Sequence, residues 1–305
     1  MRKFLHVLFR RALTRGRFLL TLGVMAAMAL LATRADAAPD TSGATLLAKY
    51  AELGPQLAGN QFKRPIVLNS SESSSAFKGD IYALVDHPFG EVSDSLNGPA
   101  RWCDVLILHL NTKYCHPLID ASGTMLQVSI GKKTEQALEQ AYQVDFVYRK
   151  GVQSPTYFET RLDADKGPLG TSNYRIVMEA VAVSGNKTFL HLTYSYAFGF
   201  ASKVAMQAYL ASAGSDKVGF TREGRQSDGQ PAYLGGMRGV VERNTMRYYL
   251  AIEAYLNAPA ADQLDARLQG WFAATEGYAL QLHEVERSEY LLMKQHETPR
   301  QKELR

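Results

Sequence analysis

The sequence predicts an α+β fold in which a curved antiparallel sheet grips a long helix in the carboxy-terminal part of the chain. Between residues 76 and 196, segments of alternating apolar and polar side chains follow one another, as in antiparallel strands. From residue 240 to residue 256 the pattern is helical, because bulky side chains recur three, four and seven residues apart and share one face. That helix face consists of Met237, Val241, Tyr248, Ile252 and Tyr255. It needs an apolar partner, which the sheet provides.

The first 37 residues have the three-part layout of a secretory signal peptide. Six basic residues and no acidic residue precede residue 18, an uncharged and mostly apolar run occupies residues 18–32, and Ala35-Asp36-Ala37 is a small-residue cleavage pattern. The apolar run is shorter than the roughly 20 residues of a membrane-spanning helix. We therefore expect a periplasmic or secreted protein that is cleaved after Ala37, with an uncleaved amino-terminal anchor as the alternative.

The basic character of the whole chain comes from this leader. The chain has 34 Lys and Arg residues and 30 Asp and Glu residues, but residues 1–37 hold seven of the basic residues and one of the acidic ones. The remaining 268 residues have 27 basic and 29 acidic side chains, a net charge of −2. Because a phosphate backbone demands clustered Lys and Arg, we expect no nucleic-acid partner.

Cys103 and Cys115 are the two cysteines of the chain, and both lie in the part predicted to be exported. In an oxidising compartment an even pair of cysteines indicates a disulfide. The alternative is a metal site in which His109 and His116 join the two thiolates. Their spacing matches none of the usual zinc patterns, so we predict the disulfide, no metal and no cofactor.

Three segments follow the leader. Residues 38–75 are predicted to lead into the domain, with a short helix at residues 44–53 and an exposed loop in the serine-rich run at residues 70–75. Residues 76–257 form the main domain. Residues 258–305 form a helical extension and tail, in which Gly270 and Gly277 weaken the helix locally.

The start of the main domain carries a recognisable pattern. A strand with the sequence Gly-Asp-Ile-Tyr-Ala-Leu-Val occupies residues 79–85, and a helix of which Pro88 suits the first turn follows it. The further positions of the pattern are Phe89, Val92, Leu96, Pro99 and Trp102. This pattern resembles the opening of the START-like superfamily, which includes polyketide cyclase-like proteins and lipid-transfer domains.

The resemblance implies the helix-grip (Bet v 1-like) fold over residues 76–257: one strand, two short helices, a curved antiparallel sheet and a long carboxy-terminal helix. The chain departs from that pattern in two places. Residues 105–110 and the loop at Cys115 are more elaborate than the usual second strand. About 40 residues also separate the last strand from the long helix.

The strands of the sheet follow from alternation. The clearest predicted strand contains Tyr142, Val144, Phe146 and Tyr148 on one face, and Leu126, Val128 and Ile130 alternate in the strand before it. Residues 157–163 can pair with it through a turn around Gly151 and Pro155. Residues 173–183 and 188–196 flank Ser184-Gly185-Asn186-Lys187, a hairpin signal because Gly and Asn tolerate a positive φ.

Helical and irregular segments complete the chain. Residues 201–212 are predicted to form a short helix, and residues 214–235 a glycine-studded connection to the long helix. Residues 262–295 form one more helical stretch, which packs on the domain or offers a surface to a partner. We expect the last ten residues to be a frayed tail.

Motifs that would identify an enzyme are absent from the sequence. It contains no Gly-x-Ser-x-Gly, Gly-x-Gly-x-x-Gly, Walker or His-Glu-x-x-His pattern. Glu159, Arg161 and Asp163 alternate along one strand, which favours an ion-pair ladder over an acid–base group. His109 and His191 lie in apolar sequence surroundings, which favours hydrogen-bonded interior histidines over catalysts.

A second site could lie at the start of the long helix. Glycines at residues 235, 236 and 239, with Arg238 and Arg243 nearby, could hold an anionic headgroup on free backbone amides. The alternative is that these glycines serve a tight turn into the helix.

The binding site that the sequence supports best is an interior lined by aromatic and apolar side chains. The inward-facing aromatic residues of the sheet and the apolar face of the helix would enclose an apolar chamber with several phenolic hydroxyls, a lining typical of ligand pockets. The alternative is that the same residues fill a solid core. The predicted lining is Trp102, Tyr142, Phe146, Tyr148, Met178, Tyr194, Tyr196, Val241, Tyr248 and Ile252.

The leader predicts export, and the resemblance implies that the protein binds or transfers a hydrophobic small molecule, such as a lipid, hopanoid or sterol-like compound. The first alternative is a cyclase- or hydrolase-like enzyme on the same fold. The second is a non-enzymatic envelope protein with a solid core, which docks a membrane or envelope partner through its carboxy-terminal helices. Convergence of His109, His191, Glu159 and Arg161 inside one cavity would favour the enzyme.

Overall fold

An antiparallel sheet of eight strands is the centre of the structure, with the strand order β1-β2-β8-β7-β6-β5-β4-β3. The computed structural model describes residues 41–121, 123–210 and 217–303. The predicted leader at residues 1–37 lies outside the described residues. The strands are β1 (Ile66–Glu72), β2 (Ala76–Val85), β3 (Thr112–Asp120), β4 (Gly123–Ile130), β5 (Tyr142–Ser154), β6 (Tyr157–Lys166), β7 (Thr171–Val183) and β8 (Lys187–Phe198).

Eight α-helices surround this sheet in the described part of the chain. They are α1 (Thr41–Ala58), α2 (Phe89–Leu96), α3 (Pro99–Leu106), α4 (Phe200–Leu210), α5 (Gly236–Leu256), α6 (Leu264–Glu276), α7 (Ala279–Leu282) and α8 (Arg287–Glu303). A small hairpin of β9 (Arg222–Arg225) and β10 (Pro231–Tyr233) precedes α5. Short 3-10 turns occur at Leu138–Gln140 and Pro168–Gly170. None of the helices that the structure describes is long and apolar enough to span a membrane.

The long helix α5 lies on the inner face of the sheet, as the sequence predicts. Its apolar side packs into a core built from alternate residues of the strands, among them Leu126, Phe146, Ile176 and Leu192. The approach to β2 is closest at Gly79, where an added Cβ would meet the Thr245 side chain and lie 3.0 Å from Cγ1 of Val241. The α+β helix-grip prediction is thereby confirmed, with further carboxy-terminal helices.

Local turn chemistry explains the β7–β8 hairpin. Gly185 and Asn186 both have positive φ, at 76° and 57°. These two residue types reach that conformation at the least cost, so the predicted hairpin forms where expected.

The outer face of the sheet is covered by α1. Leu46, Leu53 and Leu57 of this helix pack on Tyr157, Val181 and Phe189 of the strands. The helix is longer than the predicted residues 44–53 because its apolar stripe continues to Leu57. The amino-terminal segment is therefore part of the fold, and it covers part of the outer face of the sheet.

One prediction about the strands was wrong, and the structure explains one departure from the family pattern. Ser70, Ser71 and Glu72 belong to edge strand β1 instead of a loop, because Ile66 and Val67 bury their side chains and the strand pairs with β2 along its whole length. Residues 105–110 are not a strand. Pro99 begins α3, which includes Val105 and Leu106, and turns follow to β3.

The carboxy-terminal extension also differs from the prediction. It breaks into α6, α7 and α8 instead of one stretch, with Gly277 at the end of α6. The predicted tail is helical as far as residue 303, since α8 continues past Pro299. Tyr290 of α8 donates to the Leu108 carbonyl at 2.8 Å, and Lys294 donates to the Thr112 carbonyl at 2.8 Å, so this helix is anchored to the domain.

Cys103 of α3 and Cys115 of β3 form a disulfide. The predicted pairing is confirmed, and neither cysteine is left as a free thiol. The bond links β3, the strand at one edge of the sheet, to α3, the helix that precedes it in the chain.

Candidate functional site

The predicted lining residues lie on three elements of the inner side. Phe146, Tyr148, Met178, Tyr194 and Tyr196 project from the inner face of the sheet and are buried. Val241, Tyr248 and Ile252 belong to α5, and Trp102 belongs to α3, where its indole donates to the Leu96 carbonyl at 2.9 Å. Tyr142 differs from the others, because it begins β5 at the edge of the face and is 42% exposed.

Aromatic rings form a connected cluster between the sheet and α5. The rings of Tyr174 and Tyr196 stack at a centroid distance of 5.2 Å, and those of Tyr194 and Tyr248 lie 5.3 Å apart. Tyr174 links both pairs and also meets Phe146 edge-on at 6.5 Å. Tyr174 was not among the predicted lining residues, although it alternates with Ile176 and Met178 along β7 and the same period would have found it.

The phenols of this cluster keep their protons. Burial raises the pKa of Tyr194, Tyr196 and Tyr248 above the usual value of 10.0, and the neighbouring phenols raise these pKa values further. The hydroxyls are therefore neutral groups that can donate and accept hydrogen bonds.

One stripe of α5 is less buried than the rest of the helix. Met237, Val240, Asn244 and Tyr248, which we call the accessible strip, are partly accessible, whereas most other α5 residues are buried. Residues spaced four or seven apart share a helix face. On this face Tyr248 lies against Tyr194, and Tyr194 also interacts with Asn244, so the strip faces the aromatic cluster. The strip is therefore the part of this helix face at which side chains are only partly buried.

The accessible strip ends after Tyr248. The next residues of the same helix face, Ala251 and Tyr255, are both 0% exposed. Val241 and Ile252, with Trp102 and Met178, are also fully packed. The structure therefore divides the predicted lining into packed core residues and a smaller group at the strip, namely Tyr248 on the strip, Tyr194 against it and Tyr196 beside Tyr194.

His109 lies next to Tyr248, at this end of the accessible strip. Its imidazole lies 5.0 Å from the Tyr248 ring and 6.4 Å from the Trp271 ring and is 3% exposed. The Asn111 backbone N–H donates to its Nδ1 at 3.2 Å, and no described group accepts a hydrogen bond from Nε2. Burial lowers the pKa of His109 well below 6.5, and the positive charge of Arg247 and of nearby lysines acts in the same direction. The ring is neutral and interior, as predicted.

His191 is placed differently from the prediction. It projects from the outer face and lies between two carboxylates, with Nδ1 2.7 Å from Oε2 of Glu179 and Nε2 2.9 Å from Oδ1 of Asp80. Its surroundings are apolar along the chain but acidic across the strands, because Glu179 is its direct neighbour in register and Asp80 lies diagonally opposite. The Tyr82 ring stacks on the imidazole at 4.2 Å.

This arrangement favours the charged form of His191. Burial by itself lowers its pKa, but hydrogen bonds to Asp80 and Glu179 outweigh burial and raise the pKa above 6.5. Burial raises the pKa of each carboxyl group, and the His191 hydrogen bond, with further donors, brings both pKa values below normal. Both ring nitrogens lie within hydrogen-bond distance of a carboxylate, which favours the imidazolium and leaves neither nitrogen available as a base.

Two open clefts lie on the outer side of the sheet. One of about 600 Å³ lies between α1 and the sheet and is bordered by Leu46, Lys49, Tyr82, Glu179 and His191. Another of about 660 Å³ is bordered by Tyr142 and by charged residues of β5, β6 and β7. Neither cleft includes the inner aromatic cluster apart from the edge of Tyr174.

The remaining predicted polar groups form ion pairs on the outer face. Arg161 pairs with Glu159 at 2.5 Å, and Asp163 pairs with Arg149 at 2.7 Å and with Arg175 at 3.0 Å. The ion-pair ladder forms as expected. Glu159, Arg161 and His191 are thus separated from His109 by the sheet, and the convergence that would indicate an enzyme does not occur.

The start of α5 is a tight turn, and its two arginines donate hydrogen bonds to backbone carbonyls. Gly236 has a φ of 63°, which favours glycine. Arg238 donates to the Ser70 carbonyl at 3.1 Å, and Arg243 donates to the Val218 carbonyl at 3.1 Å. A tight turn into the helix therefore explains these glycines. Because both arginines already donate to backbone carbonyls, neither is placed to bind an anionic headgroup by itself.

Comparisons with known proteins give matches among solved structures. No model of a known protein family matches the sequence, and no curated protein does. A norcoclaurine synthase of Thalictrum flavum matches with 11% identity and a TM-score of 0.33, over 45% of this chain and 86% of that chain. Human StAR-related lipid transfer protein 5 matches with 11% identity and a TM-score of 0.31, over 56% and 90%. Ara h 8.0201 matches with 11% identity and a TM-score of 0.30, over 46% and 91%.

These matches cover part of this chain, with TM-scores below 0.5. The helix-grip fold predicted from the sequence is confirmed by the structure itself, through the strand order and the position of α5 across the inner face of the sheet.

Proposed function

We propose that this chain is an exported protein that binds an apolar small molecule, such as a lipid, hopanoid or sterol-like compound, along the accessible strip of α5. The observation that carries the proposal is the strip itself. Met237, Val240, Asn244 and Tyr248 stay partly accessible on a helix most of whose other residues are buried. A helix that served only to fill a core would bury this face as completely as Ala251 and Tyr255 on the next turns.

The chemistry of the strip's surroundings supports an apolar guest with few polar groups. Aromatic rings provide large apolar area, and neutral hydroxyls orient a ligand without demanding charge. Tyr194, Tyr196 and Tyr248 supply both at the strip. A ligand of this kind gains roughly 25 cal/mol for each Å² of apolar surface removed from water.

Export is supported by two features. The leader has the layout of a signal peptide, and Cys103 and Cys115 are bonded to each other. Disulfides persist in oxidising compartments such as the periplasm. A carrier there would keep an apolar compound out of water between membranes. No catalytic role is included, since the titratable residues do not converge at the strip.

The test is a titration of the mature protein with N-phenylnaphthylamine, a neutral apolar dye that fluoresces in dry surroundings. Native mass spectrometry and organic extraction of protein from its own envelope fraction would identify the natural guest. We expect saturable dye binding at one site. Absence of dye uptake together with a clean ligand-free mass would contradict the proposal.

A pair of filling variants locates the site. Val240→Trp adds an indole to the accessible strip, whereas Ala48→Trp adds the same group to the cleft between α1 and the outer face. We expect Val240→Trp to weaken dye binding at least tenfold and Ala48→Trp to leave it unchanged. The reverse result would move the binding site to the outer cleft.

A further inference from the structure

A buried hydrogen-bond donor at the closed end of the accessible strip has no acceptor among the described residues. His109 lies in the turn between α3 and β3, where its own carbonyl accepts from Lys294 at 2.9 Å and from the Thr112 backbone N–H at 3.0 Å. The Asn111 N–H occupies Nδ1 as a donor. A neutral imidazole carries its proton on the other nitrogen when one nitrogen accepts, so Nε2 is an N–H group.

Leaving that N–H buried and unpaired is unfavourable. Most buried polar atoms in folded proteins have a partner, so an orphan donor calls for a specific explanation. His109 is 3% exposed, and no described residue accepts from Nε2. Its ring contacts are Tyr248, the last residue of the accessible strip, and Trp271. A molecule lying along the strip would therefore end against this imidazole.

The charges around His109 favour an oxygen atom in that position. Arg247, Lys294, Lys133 and Lys113 all impose positive potential on the imidazole. Two carboxylates balance them in part, because the half-buried Glu284 pairs with Arg247 and Lys133, and the buried Glu297 pairs with Lys113 and Lys294. Four cations face two anions, so the closed end attracts the negative end of a dipole and repels an ammonium group.

We propose that the Nε2–H of His109 is the recognition donor of the site, so that the preferred ligand is an apolar molecule with an acceptor oxygen, a carbonyl or hydroxyl, at its buried end. The inference rests on the proposed function and narrows its ligand class. An unsubstituted hydrocarbon leaves the donor unpaired, whereas a ligand with a terminal oxygen pairs it. The difference corresponds to about tenfold in affinity for a neutral hydrogen bond.

The experiment compares dodecane with the methyl ketone of the same chain length as competitors for bound N-phenylnaphthylamine. We expect the wild-type protein to prefer the ketone by about tenfold. His109→Phe keeps an aromatic ring but removes the donor, and the preference should fall to about twofold or less. His116→Phe is the matched control, because His116 is a half-buried histidine of β3 that stacks on Tyr114 away from the strip. This variant should keep the full preference.

A second measurement needs no variant. In the wild-type protein the Nε2–H proton resonance of His109, observed by nitrogen-15 NMR, should shift downfield with the ketone and stay in place with dodecane. Equal affinity for the two competitors, with no resonance shift, overturns the inference and leaves the binding function intact, as would be the case if the Tyr248 ring face satisfies the donor. Failure of both competitors and of the dye overturns the binding function as well.

Discussion

Lys113 and Glu297 form a buried ion pair of 3.0 Å, although 184 residues separate them in the chain. Lys113 lies near the start of β3 and Glu297 in α8, and their side chains are 0% and 3% exposed. Glu297 also accepts from Lys294 at 2.8 Å. One carboxylate thus pairs with two buried ammonium groups and links the last helix to the sheet.

Glu297→Ala should destabilise the fold strongly. It leaves Lys113 and Lys294 buried without their shared counter-ion, and breaking a buried pair in this way costs about 3–5 kcal/mol in the free energy of unfolding. Urea unfolding followed by circular dichroism measures the change. The control is Glu52→Ala, which removes the exposed partner of Lys49 and should change the free energy by less than about 0.5 kcal/mol. Equal effects of the two substitutions would mean that the buried pair has no special role.

Gly79→Ala should separate β2 from α5. The added methyl group would overlap the Thr245 side chain and press on Val241, so the strand and helix must move apart. Overpacking of this kind costs about 1–3 kcal/mol. Gly90→Ala is the matched control, because a Cβ added there would have nothing within 4 Å and the residue is in a helix, where alanine is favoured over glycine. Thermal unfolding should show a lower Tm for the first variant and an unchanged or higher Tm for the second.

Removing the disulfide should weaken the attachment of β3 to α3. The bond closes a loop with a sequence separation of 12, which corresponds to about 3 kcal/mol in the chain-entropy account. The double variant Cys103→Ala with Cys115→Ala should therefore unfold at lower urea than the wild-type protein. A reducing agent should lower the midpoint of the wild-type protein and leave that of the double variant where it is. A wild-type midpoint insensitive to reduction would contradict the stabilising role.

The His191 network should make stability depend on pH. Because the pKa of His191 is raised on folding, its contribution is complete below the usual value of 6.5 and is lost as the pH rises through the raised pKa. The pKa values of Asp80 and Glu179 are lowered, so their contribution is complete above 3.8 and 4.5 and is lost as the pH falls through the folded-state values. The network therefore stabilises most in mildly acidic solution.

His191→Gln keeps a polar group but removes the titration. The stability difference between wild-type protein and variant should reach about 1–3 kcal/mol near pH 6 and shrink towards alkaline pH. His296→Gln, at an exposed histidine of α8, controls for loss of a surface imidazole. A difference that stays constant across this range would show that the charge of His191 does not stabilise the fold.

Periodic sequence patterns predicted most of the secondary structure. The alternation of Val144, Phe146 and Tyr148 locates β5 and its inner face, and the spacing of Met237, Val241 and Tyr248 locates α5. The Gly185-Asn186 turn could be predicted because the two residues adopt positive φ by themselves. These signals are local, since each depends on residues within one element. The serine-rich part of β1 was missed because its pairing with β2 is what makes it a strand.

The candidate site could be predicted only in part. Tyr194 and Tyr248 were both expected to line the interior, and their rings lie 5.3 Å apart. The split between packed residues such as Val241 and accessible ones such as Asn244 depends on how closely α5 approaches each strand, for which no sequence period exists. His191 was misplaced for the same reason, because strand register and not chain neighbourhood brings Glu179 and Asp80 to its ring.

Local composition, spacing and compartment were enough to predict most strands, the long helix and the pairing of the two cysteines, whereas the cleaved leader stays a prediction. Three features could be seen only in the tertiary structure. Helix α1 packs on the outer face of the sheet, and α8 is bound to β3 through the ion pair of Glu297 with Lys113. One stripe of α5 stays partly accessible beside His109, whose Nε2 donor has no acceptor among the described residues. The physical reason is that accessibility and hydrogen-bond satisfaction are properties of surfaces in contact, and those surfaces come from residues far apart in the chain.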